Sequence, residues 1–208
     1  MISKIALATG NHHKVLELKQ LFQGSLINNP PLILTPQDCG IISFSPIEDG
    51  LTFSENASIK SNALFQVTGI PSLADDSGIS VDALEGRPGI YSARYGGEGI
   101  TDQQRAMLLL KEMQGIKNRS AHFDCVLSFT TESGTVSFAG RVSGEIAQVY
   151  DESGNGFGYD PIFYYPEWDK CFSEISPEQK NTISHRAIAL QKFISYLAES
   201  TGPPVSRL

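Results

Sequence analysis

Cysteine is scarce in this 208-residue chain, and the three that occur, Cys39, Cys125 and Cys171, stand far apart with no CxxC pair and no Cys/His cluster. That spacing suggests neither a disulfide framework nor a structural zinc site, and it fits reduced thiols in a cytoplasmic protein. Long apolar runs are missing as well. The first residues, MISKIALATGNHHK, hold a few apolar positions before polar ones, too short for a signal-peptide core and far too short to span a bilayer. The expectation is a cytoplasmic chain with no membrane partner. A basic surplus is also absent: net charge is −7, with no run of five like charges and no Lys/Arg stripe, which argues against a nucleic-acid polymer as partner. Such a chain binds a polyanion only locally, through a few placed cations, backbone N–H groups or a divalent metal held by carboxylates.

What is present alternates in period. Residues 4–9, KIALAT, read as a buried first strand, and Val15, Leu18, Leu21 and Phe22 share one face of a helix over 13–22. A proline-bearing loop is expected from Asn28 to Ser45. Thr52 and Glu55 have capping-box spacing and open a helix to about residue 68, with Ile59, Ala63 and Val67 on its apolar face. Residues 71–75 look like a strand ending at an acidic turn, and Ile79 to Val81 like its continuation or its partner. A second capping box, Thr101 to Gln104, starts a helix through Met113. The alternating stretch 122–149 turns at Glu132-Ser-Gly134 as a hairpin or meander. Ser176 caps a helix with Pro177 at its first position, and Ser184 precedes a last helix from His185 to about Ser200. No linker or repeat interrupts the chain, so the reading is one mixed α/β domain over 1–208.

Several short stretches carry chemistry. TGNHHK, residues 9–14, is a strand-to-helix turn whose N–H groups and positive dipole end suit a phosphate, and Lys14 is unfavourable there unless an anion offsets it. An ordinary surface turn is the alternative, since the GxxxxGKS or GxxxxGKT loop of nucleotide-binding proteins is absent. Asp75 and Asp76 stand side by side. If the strand persists they point to opposite faces, so one can be structural while the other serves chemistry. Adjacent like charges raise each other's pKa unless a cation or donors compensate, and magnesium is a frequent compensator where phosphate is also bound. The competing reading is an Asx-type turn with Ser77-Gly78. Lys60 follows Asn56 by one helical turn, so both can face one site, the alternative being a solvated lysine. GNGFGYDP, 154–161, lacks dinucleotide-turn geometry because Pro161 falls where a helix would start; glycines flanking Phe157 and Tyr159 suit close approach to a planar ligand, or a tight buried turn. Lys180, His185 and Arg186 form a basic group about the last helix start, where it needs an anionic or base-edge partner; ordinary surface charge is the alternative.

Taken together, LATGNHHK, TFSENASIKSNAL, LADDSGISVDALEGRPGIYSARY, GFGYDPIF and QKNTISHRAIAL run in order from residue 7 to residue 190, and the chain resembles the inosine/xanthosine triphosphate pyrophosphatases. The resemblance implies a two-lobed α/β fold with an elongated mixed β-sheet flanked by helices, a cleft between the lobes, a homodimer, and Mg²⁺-dependent hydrolysis of a purine nucleoside triphosphate to monophosphate and pyrophosphate. It also implies site residues. Thr9, Gly10, Asn11, His12, His13 and Lys14 would hold the triphosphate, joined by Lys60; Asp76 would be metal ligand and proton acceptor, with Ser77 beside it. Phe157, Gly158, Tyr159 and Asp160 would line the nucleotide pocket, Phe157 or Tyr159 stacking on the base, and Lys180, His185 and Arg186 would meet the purine end. One position departs: several relatives carry a second acidic ligand where this chain has Ile47, so Glu48 or Asp49 would substitute, and Glu48 is the expected second metal ligand. Asp75 is expected to be structural. Arg87 and Arg94 pair either with these carboxylates or at a dimer interface. A Maf-type pyrophosphatase and a nucleotide-binding module without turnover are the rival readings; a glycosidase is poor, because adjacent aspartates do not make an opposed pair.

Overall fold

A computed structural model describes residues 2–23 and 30–201; Asn28 and Asn29, where the proline-bearing loop was expected to begin, lie outside the described residues. Strand β1 (Lys4–Leu7) leads into helix α1 (His12–Gln23), then β2 (Leu32–Leu34), helix α2 (Phe53–Thr68) and the long strand β3 (Ser72–Val81). Helix α3 (Asp102–Glu112) precedes β4 (Ser120–Thr131) and β5 (Gly134–Ile146). The short strands β6 (Phe163–Tyr165) and β7 (Lys170–Cys171) and the helices α4 (Pro177–Ile183) and α5 (His185–Thr201) complete the order. All seven strands belong to one mixed sheet, ordered β2-β1-β3-β4-β5-β6-β7. β1 pairs in parallel with both β2 and β3, while β6 is antiparallel to both β5 and β7. Only two residues join β4 to β5, a length that permits only an antiparallel pair. Among the described residues no helix is long and apolar enough to cross a membrane.

The chain divides into two compact units. One comprises Met1–Asp76, Val126–Gly140 and Arg186–Leu208. Its core packs Ala6, Ala8, Leu64 and Ala74 in one cluster and the rings of Phe22, Phe129, Phe138 and Phe193 in another. The other comprises Ser77–Cys125 and Arg141–His185, with a larger core that includes Ile79, Val81, Leu109, Phe123, Ile162, Phe163 and Phe172.

Local signals hold where they are chemically explicit. Thr52, Thr101 and Ser176 each accept from the N3 backbone N–H while Glu55, Gln104 and Gln179 reach back, three complete capping boxes. Two expectations are corrected. The acidic stretch is no turn: β3 runs unbroken through Asp75, Asp76, Ser77 and Gly78, and nine of its ten positions are buried. Helix α2 buries Asn56, Ala57, Lys60, Ser61 and Leu64, whereas Val67 is 71% exposed and Ile59 and Ala63 are only partly covered. The polar face wins because it has partners. Ser61 Oγ lies 2.8 Å from Thr130 Oγ1 and Ser58 Oγ 3.0 Å from Ser128 Oγ, tying the helix to β4 by hydroxyl pairs.

Gly78 shows how closely β3 is packed. A Cβ there would meet Ser92 Oγ at 2.4 Å and Gly89 O at 2.5 Å. Gly78→Ala is expected to cost about 1–3 kcal/mol, as overpacking against backbone does, read as a lower urea midpoint; an unchanged midpoint would show that the Ser92 segment yields freely.

Candidate active site

The turn from β1 into α1 is built from its own side chains. Thr9 Oγ1 accepts from the Asn11 N–H at 3.1 Å, and Asn11 Oδ1 accepts from the Lys14 N–H at 3.2 Å, the bond an N-cap makes to N3. Gly10, Asn11, His12 and His13 are exposed. Lys14 is not spread into solvent: its ammonium lies 2.9 Å from Asp75 Oδ2.

Because successive strand residues face opposite ways, the adjacent aspartates of β3 meet different cations. The Asp75 side chain is fully buried, with Lys14 at 2.9 Å and the Arg186 guanidinium at 3.4 Å, and Arg186 in turn binds Glu17 of α1. Burial alone would push the Asp75 carboxyl up, but Lys14, Arg186 and Lys60 outweigh it and hold the group far below the usual carboxylate range. Asp76 faces Lys60, whose Nζ lies 2.9 Å from Asp76 Oδ1 and 3.0 Å from Glu48 Oε2. One ammonium thus serves two carboxylates. Burial is the largest influence on Asp76 and raises its carboxyl above the ordinary value, Lys60 lowering it only in part while Glu48 adds to the rise. For Lys60, burial favours the neutral amine, yet Asp76, Asp75 and Glu48 together hold it charged, with its pKa raised.

The segment carrying Glu48 is pinned by the helix it precedes. Gly50 N–H donates to Asn56 Oδ1 at 2.9 Å, and a Cβ on Gly50 would lie 2.7 Å from that oxygen, so glycine permits the approach that aims Glu48 at Lys60. Asp49 and Ile47 are exposed. Of the two candidate substitutes at the departing position, Glu48 is the one beside Asp76's cation.

Magnesium takes oxygen donors, keeps several waters and is held by one or two carboxylates together with substrate phosphates. Asp76 Oδ2, buried and accepting no hydrogen bond from the described residues, and Glu48 fit that donor set. No group of three or more His, Cys, Asp or Glu among the described residues could hold a metal ion by itself.

The second unit holds the other predicted group. Asp160 Oδ2 accepts from the Phe157 N–H at 2.8 Å and from Lys180 Nζ at 2.7 Å, and that ammonium lies 4.9 Å from the Phe157 ring centroid. Gly156 and Gly158, both at positive φ, bracket Phe157; a Cβ on Gly156 would strike Asp160 Oδ2 at 2.4 Å. Gly158 N–H donates to Asp102 Oδ2 at 3.2 Å. Of the two rings considered for stacking, Tyr159 is a core residue whose hydroxyl donates to Ser92 O, while Phe157 is half-buried. Ser77 is half-buried on β3.

The basic group expected at the start of the last helix is neither exposed nor a single cluster. Lys180 sits in the last turn of α4 and pairs with Asp160, His185 stacks on Phe123 at 4.8 Å, and Arg186 lies with Glu17 and Asp75 in the first unit. Arg87 binds Glu112 and Tyr95 rather than either aspartate, and Arg94 covers the Tyr91 ring. Sequence reading missed Glu17. Its signal was a carboxylate three residues after Lys14, between the buried Val15 and Leu18, where a solvated acid does not belong.

This arrangement of mixed sheet and flanking helices is shared with solved proteins. It resembles the Staphylococcus aureus Ham1 protein with a TM-score of 0.84 at 40% identity, covering 95% of this chain and all of that one. It also resembles a nucleoside-triphosphatase / dITP/XTP pyrophosphatase of Mycobacterium abscessus, with a TM-score of 0.72 at 34% identity, covering 91% of this chain and 98% of that one. The sequence profile of the Ham1 family matches residues 5–196, and the chain belongs to that family. Among curated relatives, the dITP/XTP pyrophosphatase of Leptospira biflexa is 50% identical over 193 residues, 92% of this chain and 95% of the relative. That of Treponema denticola is 44% identical over 201 residues, 95% of this chain and 100% of the relative.

Replacing Asp75 by Asn takes the carboxylate from the half-buried Lys14 and leaves the buried Arg186 with Glu17. Asp75→Asn is expected to lose about 3–5 kcal/mol, the cost of breaking a buried ion pair by removing one partner, measured by urea unfolding in metal-free buffer. A carboxyl held low by folding stabilises above its unfolded pKa of about 3.9, and that contribution fades as pH falls further. The gap between wild type and variant is therefore expected to stay constant above about pH 5 and to narrow toward pH 2; a gap widening with acid would contradict the assignment.

Proposed function

We propose that this chain hydrolyses non-standard purine nucleoside triphosphates, ITP, dITP and XTP, to the monophosphate and pyrophosphate, and so clears them from the nucleotide pool. The observation that carries the reading is the doubled pairing in the first unit, Lys14 with Asp75 and Lys60 with Asp76, in a chain whose relatives at 50% and 44% identity bear the name dITP/XTP pyrophosphatase.

Cleaving the α–β anhydride brings water to a phosphorus inside an oxygen cage bearing roughly four negative charges, so positive charge must be pre-positioned and a carboxylate must take a proton. The Thr9–Lys14 turn offers the positive end of α1 and the Lys14 ammonium to the phosphates, with Lys60 as a second cation and His12 and His13 in the exposed part of the turn. Asp75 keeps Lys14 in place and stays ionised with the help of Lys14 itself and of Arg186, a guanidinium that Glu17 also binds. Asp76, whose burial raises its proton affinity, accepts the proton of the attacking water at its carboxylate. When bound, a magnesium ion held by Asp76 and Glu48 would supply Lewis-acid polarisation of the phosphate oxygens and a more acidic water.

In the second unit, the Phe157 ring offers a stacking face, and Gly158 and Asp160 hold the backbone that presents it. Lys180 and His185 supply donors for a purine O6. Adenine puts an amino group there, and unsatisfied buried donors cost ~2–4 kcal/mol, enough to discriminate. Arg186 is assigned to Asp75 rather than to the base. The protein is read as a cytoplasmic homodimer of one domain over 1–208.

Asp76→Asn is expected to lower pyrophosphate release from ITP about 10²–10⁴-fold, the usual contribution of a positioned base, with no fall in melting temperature; an Asp76→Asn protein of full activity would overturn the role. In a panel of ITP, dITP, XTP, ATP, GTP, dTTP and UTP, the first three should be preferred, and EDTA should abolish release. Preference for a pyrimidine triphosphate would favour the Maf-type reading, and no release from any would favour a binding module.

A further inference from the structure

Lys60 occupies a peculiar electrostatic position. It is 93% buried, its ammonium touches one oxygen of Glu48 and one of Asp76, and these are the two carboxylates that fit a divalent ion. Two carboxylates and one ammonium leave a local charge of −1, so the pocket is partly neutralised before any metal arrives. Placing a doubly charged ion on the same two carboxylates, through Asp76 Oδ2, while Lys60 stays within 3.0 Å of both, sets two cations against each other at a separation where poorly screened repulsion is large. Lys60 can leave, because its ammonium sits on a flexible four-carbon stem. Leaving is costly, since a buried ammonium stripped of both partners is uncompensated. Only a new anion beside Asp76 can take it up.

We propose that Lys60 is an exchangeable internal counter-ion: it holds Glu48 and Asp76 together in the ligand-free protein, and transfers to the substrate's phosphate oxygens as the divalent ion takes its place on the carboxylates. This deepens the pyrophosphatase reading and rests on it for the identity of the incoming anion. No covalent bond changes in the exchange. Its consequence is coupling: the metal alone must strand the ammonium, the triphosphate alone must pull it from two carboxylates, and together each removes the other's cost. By linkage the enhancement is reciprocal. Lys60 therefore makes the site select a metal–triphosphate complex over free metal, a role distinct from simple charge attraction to phosphate.

The test uses Mn²⁺ as an EPR-visible probe, titrated alone and with the α,β-methylene analogue of ITP, which cannot be cleaved at the bond concerned. For wild type, the analogue is expected to tighten Mn²⁺ binding at least about tenfold, within the usual range of coupling between sites. Lys60→Met should bind Mn²⁺ alone at least about fivefold more tightly than wild type, and the analogue should then add less than about threefold. Unchanged or weaker Mn²⁺ binding by folded Lys60→Met overturns the proposal, because a lysine that merely attracts phosphate does not oppose the metal. A second measurement needs no variant: the Lys60 side-chain ammonium resonance of ¹⁵N-labelled wild type should keep its position with the analogue or low Mg²⁺ alone and shift when both are present. A resonance that stays put in the ternary complex overturns the exchange. Failure of the pyrophosphatase reading is separate, since it would appear as wild type that neither releases pyrophosphate nor binds the analogue.

Discussion

Two neighbouring carboxylates can be buried together only if each meets its own positive charge, and the pleat of β3 is what makes that possible. Alternation turns Asp75 toward Lys14 and Arg186 and Asp76 toward Lys60. The numbers of cations differ, and so do the outcomes. Asp75 shares two cations and is held ionised; Asp76 shares one cation with Glu48 and keeps a raised proton affinity. A carboxylate held ionised and one of raised proton affinity thus arise from the same residue type at consecutive positions, through environment alone.

The same constraint organises what surrounds the strand. Helix α1 contributes both Lys14 and Glu17, so its first turn is fixed by charge as well as by the Asn11 cap. Helix α2 sacrifices an apolar face to bring Lys60 inward, and recovers the loss through hydroxyl pairs to β4 and the Asn56 bond to Gly50. A protein of net charge −7 can hold a polyanion under these conditions because its relevant cations are few, buried and already oriented; the field that matters is local.

Sequence made the short-range parts legible. Capping boxes involve residues three apart and no tertiary partner, and all three stand where their spacing put them. The hairpin at residues 132–133 and the Ser176-Pro177 helix start are equally local. What failed depended on distant charge. Asp-Asp-Ser-Gly has the chemistry of a turn, and only Lys14, Lys60 and Arg186, far along the chain, let it persist as a buried strand. Likewise the buried face of α2 could not be found from apolar periodicity, because the residue that decides it is a lysine. The candidate residues themselves were legible as ordered motifs, but their partners were not: Glu17 for Arg186, Asp160 for Lys180 and Glu48 for Lys60 emerge only in three dimensions.

Everything at the site follows from Asp75 and Asp76 ionising separately. Carboxyl ¹³C NMR of metal-free, ligand-free protein, followed from pH 8 downward with resonances assigned by the two Asn variants, measures this directly. Asp76 should titrate first, above the ordinary aspartate value of about 3.9, while Asp75 stays ionised until the protein unfolds in acid. Two aspartates titrating together near that ordinary value, or Asp75 protonating before Asp76, would contradict it.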